Sequence, residues 1–161
     1  FPYVKMMIFA QPEPPMEKLH VARLRADARL PTRKHPEDAG LDFYAAETTR
    51  IAPFSFGIVP TGITIDIPAG LVGLLKPKGR SNHLLGAGVV DAGYQGEILI
   101  KVANPTAGEL VFQPGDAVGQ LLLIPVVTPP VEEVSPEEIH RQRSPRSGSG
   151  GIVEQHRRRG G

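Results

Sequence analysis

The chain has 161 residues, a formal net charge of +1, 40% hydrophobic residues and no Cys. This length permits one domain with a sizeable core, and the small net charge gives no global attraction to nucleic acid. A chain without Cys has no disulfide framework and no thiolate metal site. The apolar runs are too short to cross a bilayer, and the first residues lack the pattern of a secretory signal. We therefore expect a cytoplasmic protein that binds neither membranes nor nucleic acid directly.

Glycine and proline punctuate short runs of Val, Ile and Leu along the whole chain, with 18 Gly and 17 Pro in total. This pattern predicts an all-β fold with many turns and little helix. The composition predicts a flexible leader over residues 1–17, a β domain over 18–140 and a flexible basic Gly/Ser/Arg arm over 141–161.

The predicted strands follow one another at short intervals. In chain order they are 20–25, 41–46, 56–67, 71–75, 97–103, 109–112 and 118–127. The run 56–67 contains a Pro-Thr-Gly break at 60–62, which predicts a bulge or a turn. The run 118–127 is almost continuously apolar, which predicts burial on both faces. The sequence Ser-Pro-Glu-Glu predicts a turn or two of helix over 135–140.

The most informative segment is 88–97, which reads Gly-Val-Val-Asp-Ala-Gly-Tyr-Gln-Gly-Glu. Apolar runs on both sides, with glycines between them, predict a tight β-hairpin. Its glycines let backbone approach a flat ligand closely, and Asp91 and Tyr94 lie at its mouth. This arrangement suits a nucleoside, with the ring against the sugar and the carboxylate near a hydroxyl or a water. A surface turn with a half-buried Tyr is the plainer alternative.

The segment 78–82 supplies groups that bind phosphate chains. Gly79, Arg80 and Ser81 offer a freed backbone N–H, a guanidinium fork and a hydroxyl within three residues. On its own, this triplet is also compatible with an ordinary solvated turn.

Five glycine-containing segments place polar or charged residues between apolar runs, and they are 38–45, 78–82, 88–97, 115–123 and 146–152. In this order they resemble the five motifs of the trimeric dUTP pyrophosphatases (dUTPases). The resemblance implies an all-β distorted jelly-roll or β-barrel domain with a flexible C-terminal arm, and a homotrimer whose active sites are each built from three chains. It also implies hydrolysis of dUTP to dUMP and pyrophosphate, which limits uracil in DNA and supplies dUMP for dTMP synthesis.

The resemblance assigns the water and the nucleoside to the segment 88–97. Asp91 matches the catalytic Asp that orients or activates the water attacking the α-phosphate, in accord with general-base chemistry. Tyr94 matches the Tyr whose ring lies under the deoxyribose and excludes a 2′-hydroxyl. The backbone around Gly88 and Val90 would read the uracil edge, and a wrong base would leave buried groups unpaired.

The resemblance also implies contacts to the triphosphate. The substrate-binding residues outside 88–97 would be Arg80, Ser81, Asn82, Gln120, Arg146, Gly150 and Gly151. Asp42 matches a supporting Asp near the metal-phosphate end. Mg²⁺ would be held through the phosphate oxygens and water, without a protein ligand.

Several other polar residues are expected to have no catalytic or metal-binding role. Glu97 and Asp116 are expected to anchor the hairpin and a turn. His35, His83 and His140 have no metal-ligand spacing and are expected to be solvated.

The chain departs from the family pattern at two places. Arg80 and Asp91 are only eleven positions apart, which is a shorter stretch than the family usually has between these two residues. Ile152 and Glu154 stand where the fifth motif usually has Phe and a hydroxyl residue. A non-catalytic or slow nucleotide-binding or regulatory protein therefore stays an alternative. The sister enzyme dCTP deaminase is a weaker one, because its catalytic Glu would fall at Lys101, which cannot act as a carboxylate.

Overall fold

The computed structural model of the protein describes residues 18–86 and 88–140, and these contain eleven β-strands and no helix. In chain order the strands are β1 (His20–Arg23), β2 (Leu41–Tyr44), β3 (Thr49–Ile51), β4 (Phe56–Pro60), β5 (Ile63–Asp66), β6 (Leu71–Lys76), β7 (Leu84–Leu85), β8 (Gly88–Val90), β9 (Leu99–Ala103), β10 (Leu110–Phe112) and β11 (Ala117–Pro125). The prediction of an all-β chain is confirmed. The predicted leader over 1–17 and the predicted arm over 141–161 lie outside the described residues.

The strands pair into four antiparallel sheets. The largest has the order β2-β11-β6-β8, so β11 lies between β2 and β6, and β8 lies at an edge. The second has the order β4-β9-β7, and the other two are the pairs β1-β5 and β10-β3. The sheets form a jelly roll that does not close into a cylinder.

Alternation along the strands turns every second side chain toward a common core. In β9, Ile100 and Val102 are buried, whereas Leu99 and Lys101 are exposed. The bulkiest side chains of the core are Phe43, Ile51, Ile63, Ile98, Ile100 and Leu121. Truncating a buried Leu or Ile to Ala typically costs about 2–5 kcal/mol, so this core fixes the strands from which the polar loops emerge.

The break predicted at 60–62 separates two strands of different sheets. β4 pairs with β9, whereas β5 pairs with β1. Gly62 has a φ of +66°, and a Cβ there would lie 2.8 Å from the Cβ of Ala28. Glycine is therefore required both by the left-handed backbone and by the close approach of the chain.

Two elements predicted from the sequence differ from what the structure shows. The expected burial of the run 118–127 on both faces is wrong for its second half, because β2 pairs with β11 only as far as Leu121, and Ile124 is exposed. The predicted helix over 135–140 is a hydrogen-bonded turn, in which Ser135 O accepts from the N–H groups of Glu138 and Ile139. A single turn without further bonds does not overcome the unfavourable nucleation of a helix.

The predicted hairpin around 88–97 is wrong in its pairing. β8 pairs with β6, whereas β9 pairs with β4 and β7, so residues 91–98 cross from one sheet to another. These residues bond instead to the chain that follows β4. Thr61 Oγ1 donates to Ile98 O at 2.7 Å, and Ile98 N–H donates to Ile63 O at 2.8 Å. Glycines and apolar runs identified the turn and the strands, but not the neighbours of those strands.

A strained turn connects β3 to β4. Ser55 N–H donates to Ala52 O at 3.2 Å, Pro53 takes the second position, and Phe54 takes the third with a φ of +52°. This position of a type II turn suits Gly, and an L-residue there is strained by about 1–2 kcal/mol. Phe54 is also 75% exposed, so its ring contributes little burial.

We expect Phe54→Gly to raise the free energy of unfolding by about 0.5 kcal/mol, because relief of the strain exceeds the backbone entropy that Gly adds. Urea denaturation measures this change. Val111→Gly on β10, where the backbone is not left-handed, is the control and should destabilise the protein. A loss of stability in Phe54→Gly would show that the ring is held by contacts that outweigh its strain.

The eleven described strands lie in the first of two compact units, which ends at Thr128, and the second unit begins at Pro129. The boundary predicted after residue 140 stays a prediction. Within residues 18–86 and 88–140, no helix is long and apolar enough to cross a membrane.

Candidate active site

The residues after β8 form a tight turn that begins with Asp91. Tyr94 N–H donates to Asp91 O at 3.1 Å, and Gly93 has a φ of +84° at the third position, as in a type II turn. Asp91 is exposed at the end of a strand whose last residue, Val90, is buried. The rigid strand therefore presents the carboxylate at the surface, while the turn brings Tyr94 back beside the strand.

Tyr94 is held by its own loop. Its hydroxyl donates to Glu97 O at 2.8 Å, and its ring lies over Gly96, where a Cβ would come within 2.6 Å of Tyr94 Cζ. The carboxylate of Glu97 accepts from Gly62 N–H at 2.7 Å, which ties the loop to the end of β4. Glu97 therefore has a structural role, as predicted, but it anchors the loop between two sheets and not a hairpin. The ring stays 45% exposed and can be covered by a ligand.

A cleft of about 220 Å³ lies between β8 and the ring of Tyr94, and we call it the tyrosine cleft. Its lining residues are Leu75, Gly88, Val89, Val90, Tyr94, Glu97, Ile98 and Leu99. Because β8 is an edge strand, one row of its backbone groups faces away from β6. Gly88 packs against Leu75, and a Cβ there would lie 3.1 Å from Leu75 Cδ1. A small, mostly apolar cleft beside a free backbone edge suits a planar group with hydrogen-bonding edges.

A second cavity of about 550 Å³ contains Asp91, and we call it the carboxylate cleft. Its other lining residues are Ala69, Gly70, Leu71, Val72, Ala92, Val126 and Thr128. Of the described residues that line this cleft, Asp91 is the only ionisable one. A carboxylate at the rim of a largely apolar cleft can accept a proton from a bound water.

A third cavity, of about 490 Å³, contains the segment 78–82, and we call it the basic cavity. It is lined by Lys78, Arg80, Ser81, Asn82, His83, Thr106, Glu109, Leu110, Val111, Phe112, Asp116 and Ala117. Ser81 N–H donates to Lys78 O at 3.0 Å, which closes a turn that presents Arg80 to solvent. A guanidinium and a hydroxyl on one turn can bind phosphate oxygens.

Asp42 and Gln120 lie behind this turn rather than in the basic cavity. They face each other across the β2–β11 pair. Asp42 Oδ2 accepts a hydrogen bond from Lys78 Nζ, and Gln120 Nε2 donates to Pro77 O at 3.1 Å. A Cβ at Gly40 would lie 2.9 Å from Gln120 Cδ, so this glycine makes room for the amide.

The expected solvation of His83 is wrong, whereas His35 and His140 are exposed. His83 Nε2 lies 2.7 Å from Val118 O, and its ring meets Phe112 edge-on at 5.0 Å between centroids. These partners lie far along the chain, so the sequence around His83 gave no sign of them. The expected turn role of Asp116 is confirmed, because its Oδ2 accepts from Gln113 N–H at 2.7 Å.

Within one chain the predicted site residues occupy separate cavities. Asp91 lines the carboxylate cleft, Tyr94 the tyrosine cleft, and Arg80 the basic cavity, and these cavities have no described lining residue in common. The predicted residues Arg146, Gly150 and Gly151 lie outside the described residues. Lys78, which lines the basic cavity and binds Asp42, was not predicted as a site residue. Its position at the start of the Lys-Gly-Arg-Ser turn was the available signal.

Among the described residues, no group of three or more His, Cys, Asp or Glu side chains could hold a metal ion. Single carboxylates such as Asp91 are present, and a site with one carboxylate can bind Mg²⁺ together with phosphate oxygens and water.

Comparison with known proteins gives one consistent result. At the level of families, residues 26–151 match dUTPase. The deoxyuridine 5'-triphosphate nucleotidohydrolase of Mycolicibacterium vanbaalenii is 40% identical over 124 residues, which is 73% of this chain and 80% of that protein. The protein of the same name from Mycobacterium bovis is 36% identical over 140 residues, with 83% and 91% covered.

Solved structures agree with this result. The Staphylococcus bacteriophage 80alpha dUTPase with dUPNHPP has a TM-score of 0.76 and 26% identity, over 86% of this chain and 98% of that one. A mutant dUTPase from phage phi11 of S. aureus, whose structure describes a structural Mg(II) ion, has a TM-score of 0.70 and 29% identity, over 76% and 99%. The fold, the order of the motifs and these matches lead to one conclusion, that the chain belongs to the dUTPase family.

Proposed function

We propose that the protein hydrolyses dUTP to dUMP and pyrophosphate in the cytoplasm. The observation that carries the proposal is the tight turn between Asp91 and Tyr94, which places a carboxylate and an aromatic ring on opposite ends of one short loop beside an edge strand. Membership of the dUTPase family supports the reaction and the substrate. The activity would limit uracil in DNA and supply dUMP for dTMP synthesis.

The tyrosine cleft would bind the nucleoside. The free edge of β8 between Gly88 and Val90 would pair with the uracil edge, and the Tyr94 ring would lie against the deoxyribose. Because Tyr94 is tied to Glu97 O, its ring cannot withdraw without losing a hydrogen bond, so a 2′-hydroxyl would meet a fixed surface. Discrimination against other bases would follow from backbone groups left unpaired in the cleft.

Asp91 would act as the general base. Its carboxylate would accept a proton from the water as the water oxygen attacks the α-phosphorus. The bond from the α-phosphorus to the bridging oxygen would then break, and that oxygen would leave with pyrophosphate. Apolar side chains of the carboxylate cleft border the carboxylate on one side, and the lower local dielectric there would strengthen its interactions with the attacking water.

Arg80, Ser81 and Asn82 would bind the phosphate chain, with Gln120 behind them and the arm residues Arg146, Gly150 and Gly151 completing the site. Arg and Ser supply charge-assisted and hydroxyl donors to phosphate oxygens. Mg²⁺ carried on these oxygens would neutralise charge on the departing pyrophosphate.

The separation of the cavities supports an active site shared between copies in a homotrimer. The basic cavity lies at the Ala103 end of β9, where Leu84 pairs, and the tyrosine cleft lies at the Leu99 end. Head-to-tail contact of copies around a ring would bring one copy's basic cavity toward the next copy's Asp91.

The sheet between the two cavities offers a surface for this contact. Its outward side chains Phe56, Ile58, Leu84 and Leu99 are all exposed, and Phe56 and Leu84 are 66% and 57% exposed. Exposed apolar patches of this kind are typical of protein interfaces. Lys101 is exposed on the same face, and its ammonium lies 4.6 Å from the Phe56 ring centroid.

The direct test is pyrophosphate release from dUTP with Mg²⁺, beside dCTP, dTTP and UTP. We expect release from dUTP alone, because the other three nucleotides present a wrong base or a 2′-hydroxyl. If no pyrophosphate were released from any of the four nucleotides although the protein bound dUPNHPP, the result would favour the non-catalytic alternative and contradict the proposal.

Site sharing predicts complementation between two inactive variants. Asp91→Asn and Arg80→Ala should each be inactive, but an equimolar mixture refolded together should recover about a quarter of the wild-type activity, because one interface in four then pairs two intact halves. Each variant refolded alone is the control. A mixture that stays inactive, or sedimentation as a lone 17.3 kDa species, would contradict the shared site.

A further inference from the structure

The turn that carries Arg80 and Ser81 is fastened at its first residues. Gln120 Nε2 donates to Pro77 O at 3.1 Å, and Lys78 Nζ donates to Asp42 Oδ2. Gln120 and Asp42 are direct partners across the β2–β11 pair. Two neighbouring side chains of the largest sheet therefore hold two consecutive residues of the loop.

Lys78 joins the sheet to the turn. Its side chain binds Asp42, while its carbonyl accepts from Ser81 N–H at 3.0 Å and closes the turn. The side chains of Lys78 and Asp42 are 37% and 15% exposed, so water and salt screen this pair less than a surface pair. Removing either partner would leave a partly desolvated charge and release the start of the turn.

We propose that Lys78 is a positioning residue, which acts through Asp42 to fix Arg80 and Ser81 where the β- and γ-phosphates bind. This inference rests on the proposed dUTP site. It assigns Asp42 to the anchoring of a lysine, and it gives the loop a defined geometry before the substrate arrives. Preorganised donors lose less freedom on binding, and a misplacement of about 1 Å can lower a rate about 100-fold.

The test compares a ligand that reaches the turn with one that does not. In Lys78→Met and in Asp42→Asn, we expect dUPNHPP to bind about tenfold more weakly, while binding of dUMP stays within about twofold of wild type. The reason is that dUMP lacks the phosphates that meet the turn. Calorimetry or fluorescence measures both affinities, and thermal melting establishes that each variant is folded.

A double-mutant cycle separates positioning from direct contact. Because the two residues act as one unit, the double variant Asp42→Asn/Lys78→Met should bind dUPNHPP no more weakly than either single variant. Lys78→Arg keeps the charge and the ion pair and should restore most of the affinity. Lys18→Met, which removes an exposed lysine before β1, is the matched control and should have no effect.

Two outcomes would overturn the inference. Additive losses in the cycle would mean that Lys78 touches phosphate independently of Asp42. An equal loss of dUMP binding would mean a general disturbance of the fold. If wild-type protein bound neither nucleotide, the proposed function itself would fail first, and this inference would fail with it.

Discussion

Asp91→Asn should lower kcat for dUTP hydrolysis by about 10²–10⁴-fold and leave nucleotide binding within a few-fold of wild type. The amide has nearly the shape of the carboxylate but cannot take a proton from the attacking water. Since Asp91 follows buried Val90 and closes its turn through its backbone oxygen, the substitution should leave the loop in place. Pyrophosphate release measures the rate, and titration with dUPNHPP measures the binding.

The control is Asp27→Asn, which removes an exposed carboxylate from a surface ion pair with Arg25. Its kcat should be unchanged, since surface pairs of this kind contribute little to stability. An Asp91→Asn protein that keeps more than about a tenth of wild-type kcat would exclude Asp91 as the general base. Loss of dUPNHPP binding in the same variant would instead show that the carboxylate holds the substrate.

Gly96→Ala should lower kcat/KM for dUTP by about 100-fold and reduce the preference for dUTP over UTP. A Cβ at this position would lie 2.6 Å from Tyr94 Cζ, so the ring must swing away and give up its hydrogen bond to Glu97 O. Because the ring is 45% exposed, the free energy of unfolding should change little. The deoxyribose, however, would lose its contact with the ring.

Steady-state kinetics with dUTP and UTP, together with the melting temperature, measure these effects. The control is Gly108→Ala, where an added Cβ meets nothing within 4 Å and the backbone is not left-handed. If Gly96→Ala kept the wild-type ratio of the two substrates, Tyr94 would not be the residue that distinguishes the sugars.

Local features of the fold could be predicted because they depend on short stretches of sequence. Alternating apolar residues located β4, β6 and β9 to within a few positions, and the turn at Asp91 followed from Gly93 and its neighbours. Glu97 was recognised as an anchor, although its partner, Gly62 N–H, was not. These features arise from side-chain period and backbone sterics, which act between near neighbours.

Features that depend on distant partners could not be predicted. The residues around 88–97 have the composition of a hairpin, yet hydrogen bonds to Thr61 and Ile63 draw the end of this loop into another sheet. The Lys78–Asp42 pair joins residues 36 positions apart, and nothing in either segment marks the other as its partner. The grouping of site residues into separate cavities is likewise a property of the assembled sheets.

The position of β11 also has a consequence for the order in which the molecule forms. Of the strands in residues 18–86 and 88–140, this one comes last along the chain, yet it lies in the middle of the largest sheet, between β2 and β6. During synthesis the first ten strands therefore emerge before the strand that joins them, and β2 and β6 each wait with an open edge. Such edges invite pairing with other chains, and pairing over long sequence separation is slow. A chain that ends before Ala117 would expose these open edges and be prone to aggregation. A chain that extends past Pro125 would be able to complete its largest sheet.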